Sequence, residues 1–523
     1  MVSDKNKFIN FIKKNYVVII LALILVFATF LRLYKIEDYM TFLGDEGRDV
    51  LIVRDILHGH LTFLGPRTSA ADFYTGPIYY YMMAPFLFLA NYNPVGPAIM
   101  IALLGIATVY LVFRFGREWF GTTAALVAAG LYTISPLVIA YSRSSWNPNP
   151  MPFFTLIILY LLYKAVNAKP NIKTFLLIGV LYGIAFQLHY IEIIVGVVMF
   201  FFILFGNILI SKKDIVSKLI KEYISIFIGF LIGLSPFLAF ELRHGFPNTK
   251  TVIAFMLKGD PKATDITTAS FPQIVWDVFT RLFGRLVLFL PPLEKLELLN
   301  KNTVIIWIIA AVVLAILSIL ALLNVKDKRT KLLFGLWLFF GVVLFGFYHK
   351  PIYDYYFEFM FPLPFLLVGN LFSYGMEKGK IAKVVAILIL VGIVGLNLSG
   401  YPFQYPANRQ YRQVEKISKF VLDKAQNKPF NFALLTLGNS DHAYRYIFEV
   451  NGHPPTTIQY TGIDPDRKSV TDQLFVVCED PNCQPLGNSL WEVAGFGRSE
   501  IAAEWLVSVV KVYKLVHYNG NNE

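Results

Sequence analysis

Apolar runs separated by short charged turns dominate the first 400 positions of the chain. About 20 consecutive apolar residues in a helix cross the hydrocarbon core of a bilayer. Runs suited to this fall at 16–33, 95–113, 122–141, 151–162, 174–189, 191–210, 223–240, 303–323, 332–348, 355–372 and 381–398. Residues 16–33 are followed by no small-residue cleavage site, so this first run is expected to stay as an anchor. Residues 77–91 are apolar but short for a crossing.

Charge settles the register. If 77–91 do not cross, the basic clusters Arg114/Arg117, Lys164/Lys169/Lys173 and Lys212/Lys213/Lys218 share one side with Lys5, Lys7, Lys13 and Lys14. Lys326/Lys328/Arg329/Lys331 and Lys378/Lys380/Lys383 join them. Short loops rich in Lys and Arg face the cytoplasm, which makes this the preferred register. It predicts a polytopic α-helical membrane protein with about 11 transmembrane helices, a cytoplasmic N-terminus and an extracytoplasmic C-terminus. The expected location is the plasma membrane.

Past Gly400 the pattern changes. Short β-like runs at 432–437, 474–478 and 509–515, with a helical pattern at 408–422, predict a soluble α/β domain over 401–523. Its two cysteines, Cys478 and Cys483, suit a small-loop disulfide if that side is extracytoplasmic. Before it, residues 34–76 form a long polar loop in which Val50, Val53, Ile56 and Leu57 mark one face of a helix over 46–57. That face predicts a helix lying in the membrane surface. A second surface helix is expected near 274–290.

Composition agrees with the pattern. The chain of 523 residues is 56% hydrophobic and 16% charged, against about 25% charged in soluble domains. Much of the Lys and Arg excess behind its net charge of +12 falls in short loops between apolar runs, and no nucleic-acid partner is expected.

Polar residues gather in loops on one external face, which suits an enzyme at the membrane boundary better than a transporter with midplane polar groups. In Gly44-Asp45-Glu46-Gly47-Arg48-Asp49, Asp45 is suited to general-base work, or to N-capping a helix that begins at Glu46, or to both. Tyr80 belongs to a tyrosine run after Gly76-Pro77, where aromatic residues also mark the headgroup level. Arg143 and Asn149 lie in the rigid loop 142–150. The cationic tips are His189-Tyr190, Arg243-His244 and His349-Lys350, and Arg48 and Arg67 stand in the first loop. A phosphate leaving group gains charge in the transition state, so placed cations lower its barrier. Snorkelling at helix ends accounts equally for Arg243 and Lys350.

These motifs together resemble the GT-C superfamily of membrane glycosyltransferases. The likeness is strongest to the branch of dolichyl-phosphate-mannose–protein mannosyltransferases and the lipid A aminoarabinose transferase. It is carried by Gly44-Asp45-Glu46 after the first span, Pro77-Ile78-Tyr79-Tyr80, Arg114-Phe115-Gly116-Arg117-Glu118-Trp119-Phe120-Gly121, and Ser135-Pro136 before Ser142-Arg143. The resemblance covers about residues 15–400. It implies a GT-C-like catalytic domain over 1–400, a polyprenyl-phosphate sugar donor, inverting transfer to a lipid, glycan or protein acceptor, and a groove for the lipid tail. It also implies Asp45 as base with Glu46 beside it. Metal dependence varies across that superfamily; the first loop has no Asp-x-Asp pair, so a divalent metal is not the favoured reading and no other cofactor is expected. The family often has an acid where this chain has Asn147 and Asn149, and a lysine near the tip that here reads His189-Tyr190. A transporter of lipid-linked sugar and an inactive scaffold of the same fold are the rival readings.

Overall fold

The computed structural model describes residues 2–68, 73–166, 171–210, 214–258, 268–291, 299–480, 482–518 and 520. Asp72, Lys169, Lys212 and Lys213 lie outside the described residues. The chain divides into two compact units. The larger comprises Met1–Tyr34, Thr62–Met82 and Ile99–Pro406, and the smaller comprises Lys35–Leu61, Met83–Ala98 and Ala407–Glu523.

The chain is a multi-pass membrane protein. Among the described residues, six helices are long and apolar enough to cross a bilayer: Lys14–Leu33, Val95–Phe120, Tyr190–Ile210, Lys301–Leu323, Lys328–Phe347 and Lys380–Ser399. Two bent pairs pass the same test jointly, Ile215–Gly233 with Ser235–His244 at 76° and Asp354–Met360 with Pro362–Glu377 at 57°. Each bend has a proline in the first turn of its second helix, Pro236 and Pro362. A proline lacks the N–H that would continue the ladder and fits the first turn of the next helix. Pro136 does the same between Thr122–Ile134 and Pro136–Tyr141. Shorter apolar helices lie at Ile78–Leu89, Thr122–Ile134, Met151–Ala165 and Ile172–Leu188.

Small residues set the closest helix contact of the larger unit. A Cβ on Gly179 would stand 2.1 Å from the Ile226 carbonyl oxygen, and one on Gly229 would stand 2.1 Å from that of Leu176. This is the glycine-mediated approach by which membrane helices pack when no water drives them together.

The smaller unit is built on a four-stranded sheet of β1 (Asn431–Leu435), β2 (Gln473–Cys478), β3 (Ser499–Val507) and β4 (Val510–His517), in the order β1-β2-β4-β3. β1 and β2 are parallel, and the other pairs are antiparallel. Every residue of β1 and β2 is buried, as expected for parallel strands covered on both faces. Helix Gln410–Ala425 buries Tyr411, Val414, Ile417, Val421 and Ala425 at helical spacing. Cys478 and Cys483 are disulfide-bonded at the end of β2.

The first loop belongs to this unit. Its helix, Gly44–Leu57, packs against helix His442–Val450. The apolar stripe expected to rest on the membrane surface is therefore covered by protein: Val50 and Val53 are buried almost completely. The Arg54 guanidinium and the Glu449 carboxylate form an ion pair across the two helices.

Candidate functional site

The loop helix starts two residues earlier than the motif suggests, at Gly44, with Leu43 as N-cap. Asp45 is therefore not the cap. Glu46 does that work, its Oε2 accepting the Leu43 N–H at 2.9 Å. The two neighbouring acids then occupy opposite environments. The Asp45 side chain is 59% exposed and accepts from Arg48 Nη1 at 2.9 Å. Glu46 is only 8% exposed. Burial pushes its carboxyl up to about 7, with Asp45 and Asp49 adding repulsion and the Leu43 N–H opposing. Arg48 also holds the fully buried Asp49 at 2.8 Å. One guanidinium thus bridges two carboxylates and fixes the first turn.

The turn after β1 grips this helix start. Asn439 Oδ1 accepts the Gly44 N–H at 2.8 Å, and Asn439 Nδ2 donates to Glu479 at 3.1 Å. Glu479 also accepts the Tyr444 hydroxyl at 2.9 Å. A Cβ on Gly44 would lie 2.0 Å from Ser440 Oγ, and one on Gly47 would lie 2.2 Å from the Ala443 backbone nitrogen. The two glycines of Gly44-Asp45-Glu46-Gly47 thus admit residues 440–443 against the helix, and Asp45 is left facing outward. Ser440 Oγ and His442 Nδ1 are 2.7 Å apart. Burial depresses the His442 imidazole; Asp441 pushes it up, Arg48 and Arg445 lower it further, and Asp45 raises it.

In the larger unit, several loop tips predicted as phosphate-binding converge. The Tyr190 hydroxyl donates to the Tyr74 carbonyl at 2.6 Å, and Phe73 stands edge-on to both Tyr190 and Phe255. Lys350 lies 5.3 Å over the Phe255 ring. Arg67 is paired with Tyr74 in an antiparallel bridge. His189 packs beside Tyr355 and Tyr356. Its Nδ1 accepts the Ile191 N–H at 3.2 Å, which fixes the neutral ring with Nε2 as donor. Loop 142–150 joins them through Trp146 on Tyr355 and through Asn147 Nδ2 donating to the Leu188 carbonyl at 2.6 Å.

Other predicted residues are placed differently. Arg143 is buried, its guanidinium donating to the Leu31 and Tyr34 carbonyls at 2.6 and 2.8 Å and lying over Phe403. It closes the end of the first span. Asn149 is buried and donates to the Ser144 carbonyl, and Tyr80 is buried beside Tyr79, whose hydroxyl meets Ser145 Oγ. Arg243 and His349 are exposed. His244 stacks on Phe240 of its own helix.

Arg281 and Arg285 were not foreseen. They stand on helix Phe271–Gly284 and at its C-cap, and both pair with Asp354, Arg281 at 2.6 Å. The buried Nε atom of each makes no hydrogen bond among the described residues. The same helix lines an apolar cleft of about 600 Å³ with Phe271, Trp276 and Phe279, facing Leu323, Phe339 and Val343. Two arginines four residues apart on an amphipathic helix were the available signal. Among the described residues, no group of three or more His, Cys, Asp or Glu side chains is placed to hold a metal ion.

A membrane bundle of this helix order, with an acidic first-loop helix and a following α/β unit, has the GT-C fold. The solved structures bear this out. ArnT from Cupriavidus metallidurans bound to undecaprenyl phosphate is similar over 96% of this chain and 98% of that one, with a TM-score of 0.60 and 13% identity. The archaeal oligosaccharyltransferase AglB from Archaeoglobus fulgidus, in complex with an inhibitory peptide and a dolichol-phosphate, is similar over 89% of this chain and 70% of that one, with a TM-score of 0.54 and 13% identity. At the sequence level, residues 74–240 match the family described as dolichyl-phosphate-mannose-protein mannosyltransferase. The Bacillus subtilis protein named "Putative mannosyltransferase YkcB" is 24% identical over 212 residues, 38% of this chain. That match spans 28% of the relative's length.

Proposed function

We propose that the chain is an inverting glycosyltransferase that takes its sugar from a polyprenyl-phosphate donor. The observation that carries this reading is the Asp45 carboxylate, exposed at a helix start that Arg48, Asn439 and two glycine contacts hold in place. The GT-C fold supports it, because ArnT and AglB share that fold and were solved with undecaprenyl phosphate and dolichol-phosphate. An acceptor hydroxyl oxygen attacks the anomeric carbon, and its proton passes to Asp45. The bond from the anomeric carbon to the phosphate oxygen breaks, and the electron pair leaves with the polyprenyl phosphate. A single displacement of this kind inverts the anomeric centre.

His189, Tyr190 and Lys350, with Arg67, Arg243, His244 and His349 as further candidates, serve the phosphate and sugar. Arg281 and Arg285, paired with Asp354, add cationic charge at the end of the helix whose first turns line the apolar cleft, and the aromatic lining of that cleft suits a prenyl tail. Eleven crossings require the shorter helices starting at Thr122, Met151 and Ile172 to cross in addition to the six long helices and the two bent pairs. They leave the N-terminus cytoplasmic and residues 401–523 outside, where transfer takes place. The acceptor is a lipid, a glycan or a protein.

Asp45→Asn tests the assignment. It keeps the size of the side chain and removes the base, so transfer from labelled polyprenyl-phosphate sugar in proteoliposomes should fall about 10²–10⁴-fold. Undiminished transfer removes Asp45 from the reaction.

A further inference from the structure

The smaller unit carries a polar pocket that the transfer chemistry leaves unused. It occupies about 480 Å³, within the range of small-ligand sites. Thr436, Asp480, Asn482, Gln484, Asn488 and Ser489 line it. It lies just past the carboxyl ends of the parallel strands β1 and β2, the place where open α/β sheets usually receive ligands. Leu434, Leu435, Cys483 and Leu490 complete the lining.

We propose that this pocket binds the acceptor, and that the acceptor is a neutral glycan; the link to catalysis rests on the transferase reading above. The lining chemistry selects the ligand class. Carboxamides offer paired donors and acceptors, a carboxylate offers two acceptors, and hydroxyls offer both, which together complement vicinal sugar hydroxyls. Among the described residues the lining includes no cationic side chain, so a phosphate or an acidic peptide finds no counter-charge. Asn482 and Gln484 are exposed, and their side chains make no hydrogen bond among the described residues.

The described residues of the rim are tied to one another. The Cys478–Cys483 disulfide closes the turn after β2. Asp480 Oδ1 accepts the Asn482 N–H at 2.9 Å. Asn488 accepts the Leu490 N–H at 3.0 Å and donates to the Gln484 carbonyl at 3.3 Å. A preformed rim lowers the ordering cost of binding.

A short path joins the pocket to Asp45. Asp480 follows Glu479, Glu479 accepts from Asn439, and Asn439 accepts from Gly44, the residue before Asp45. From Thr436 the chain needs three residues to reach Asn439, at most about 11 Å of backbone. The pocket is thus tied through Asn439 and Glu479 to the helix start that carries the proposed base.

The test uses the full chain in nanodiscs, probed with an array of neutral oligosaccharides and an array of Ser/Thr-rich peptides. Expected is binding to at least one neutral oligosaccharide, weakened tenfold or more by Asn482→Ala with Gln484→Ala. Hydrolysis of polyprenyl-phosphate sugar without acceptor should be unchanged in that double variant. Binding of no oligosaccharide, glycan binding indifferent to the double variant, or capture of peptides instead of glycans would overturn the proposal. If wild-type protein releases no sugar from any donor while the glycan is still lost in the variant, the transferase reading fails and the pocket stands.

Discussion

Asp45 and Glu46 are neighbours with opposite fates, and the difference lies in what each touches. Asp45 faces outward beside Arg48, whereas Glu46 turns inward onto the Leu43 N–H. A buried acid raised from 4.5 to about 7 binds a proton in the folded state that the unfolded state releases. The contribution of Glu46 to folding stability is therefore greatest below pH 4.5, declines as pH rises towards 7, and stays level beyond. The loss amounts to at most about 3 kcal/mol. Glu46→Gln cannot ionise, so its melting temperature in detergent should exceed that of the wild type at pH 8 and converge with it at pH 4.5. Parallel pH profiles for the two proteins would contradict the assigned burial. The acidic pair itself was legible in Gly44-Asp45-Glu46. Which of the two would be buried was not, because the answer depends on residues 439–443, nearly 400 positions away. Arg143 makes the same point: its charge suggested phosphate, and its surroundings give it two carbonyls instead.

At the scale of elements, long apolar runs declared themselves because a bilayer imposes a length; each predicted run is helical, although 122–141 is split before Pro136 and the helices Thr122–Ile134, Met151–Ala165 and Ile172–Leu188 are shorter than a full crossing. The apolar stripe of Gly44–Leu57 was also legible, but not its partner. Periodicity reports that a face is covered and leaves open whether lipid or protein covers it. Helix His442–Val450, with nine residues, is too short for the window in which a helical period stands out, and β3 was missed as an edge strand that is largely exposed. The contact between the two helices depends on Gly47. Gly47→Ala places a methyl 2.2 Å from the Ala443 nitrogen, so the helices must separate at a cost of about 1–3 kcal/mol. Limited proteolysis should then cut residues 58–61 faster, and transfer should fall with it. Gly392→Ala, with open space around the added atom, is the control that should leave both unchanged.

For the whole molecule, the composition break at residue 400 marked where the apolar spans end, but it did not predict that Lys35–Leu61 and Met83–Ala98 would join the following residues in one compact unit. Membership of a unit is a property of long-range contacts, which no local window contains. Sidedness, by contrast, is a local expectation drawn from the basic loops. A C-terminal epitope tag should be cleaved by protease added to intact spheroplasts, and an N-terminal tag should be protected; the reverse pattern would place Asp45 in the cytosol. The account as a whole rests on covalent transfer. Its most direct test is to follow wild-type protein in proteoliposomes loaded with undecaprenyl phosphate carrying labelled mannose, glucose or galactose. The prediction is release of free polyprenyl phosphate as label moves to acceptor or water, with inversion at the anomeric carbon. Counterflow of intact donor between leaflets, with the sugar–phosphate bond preserved, would contradict it.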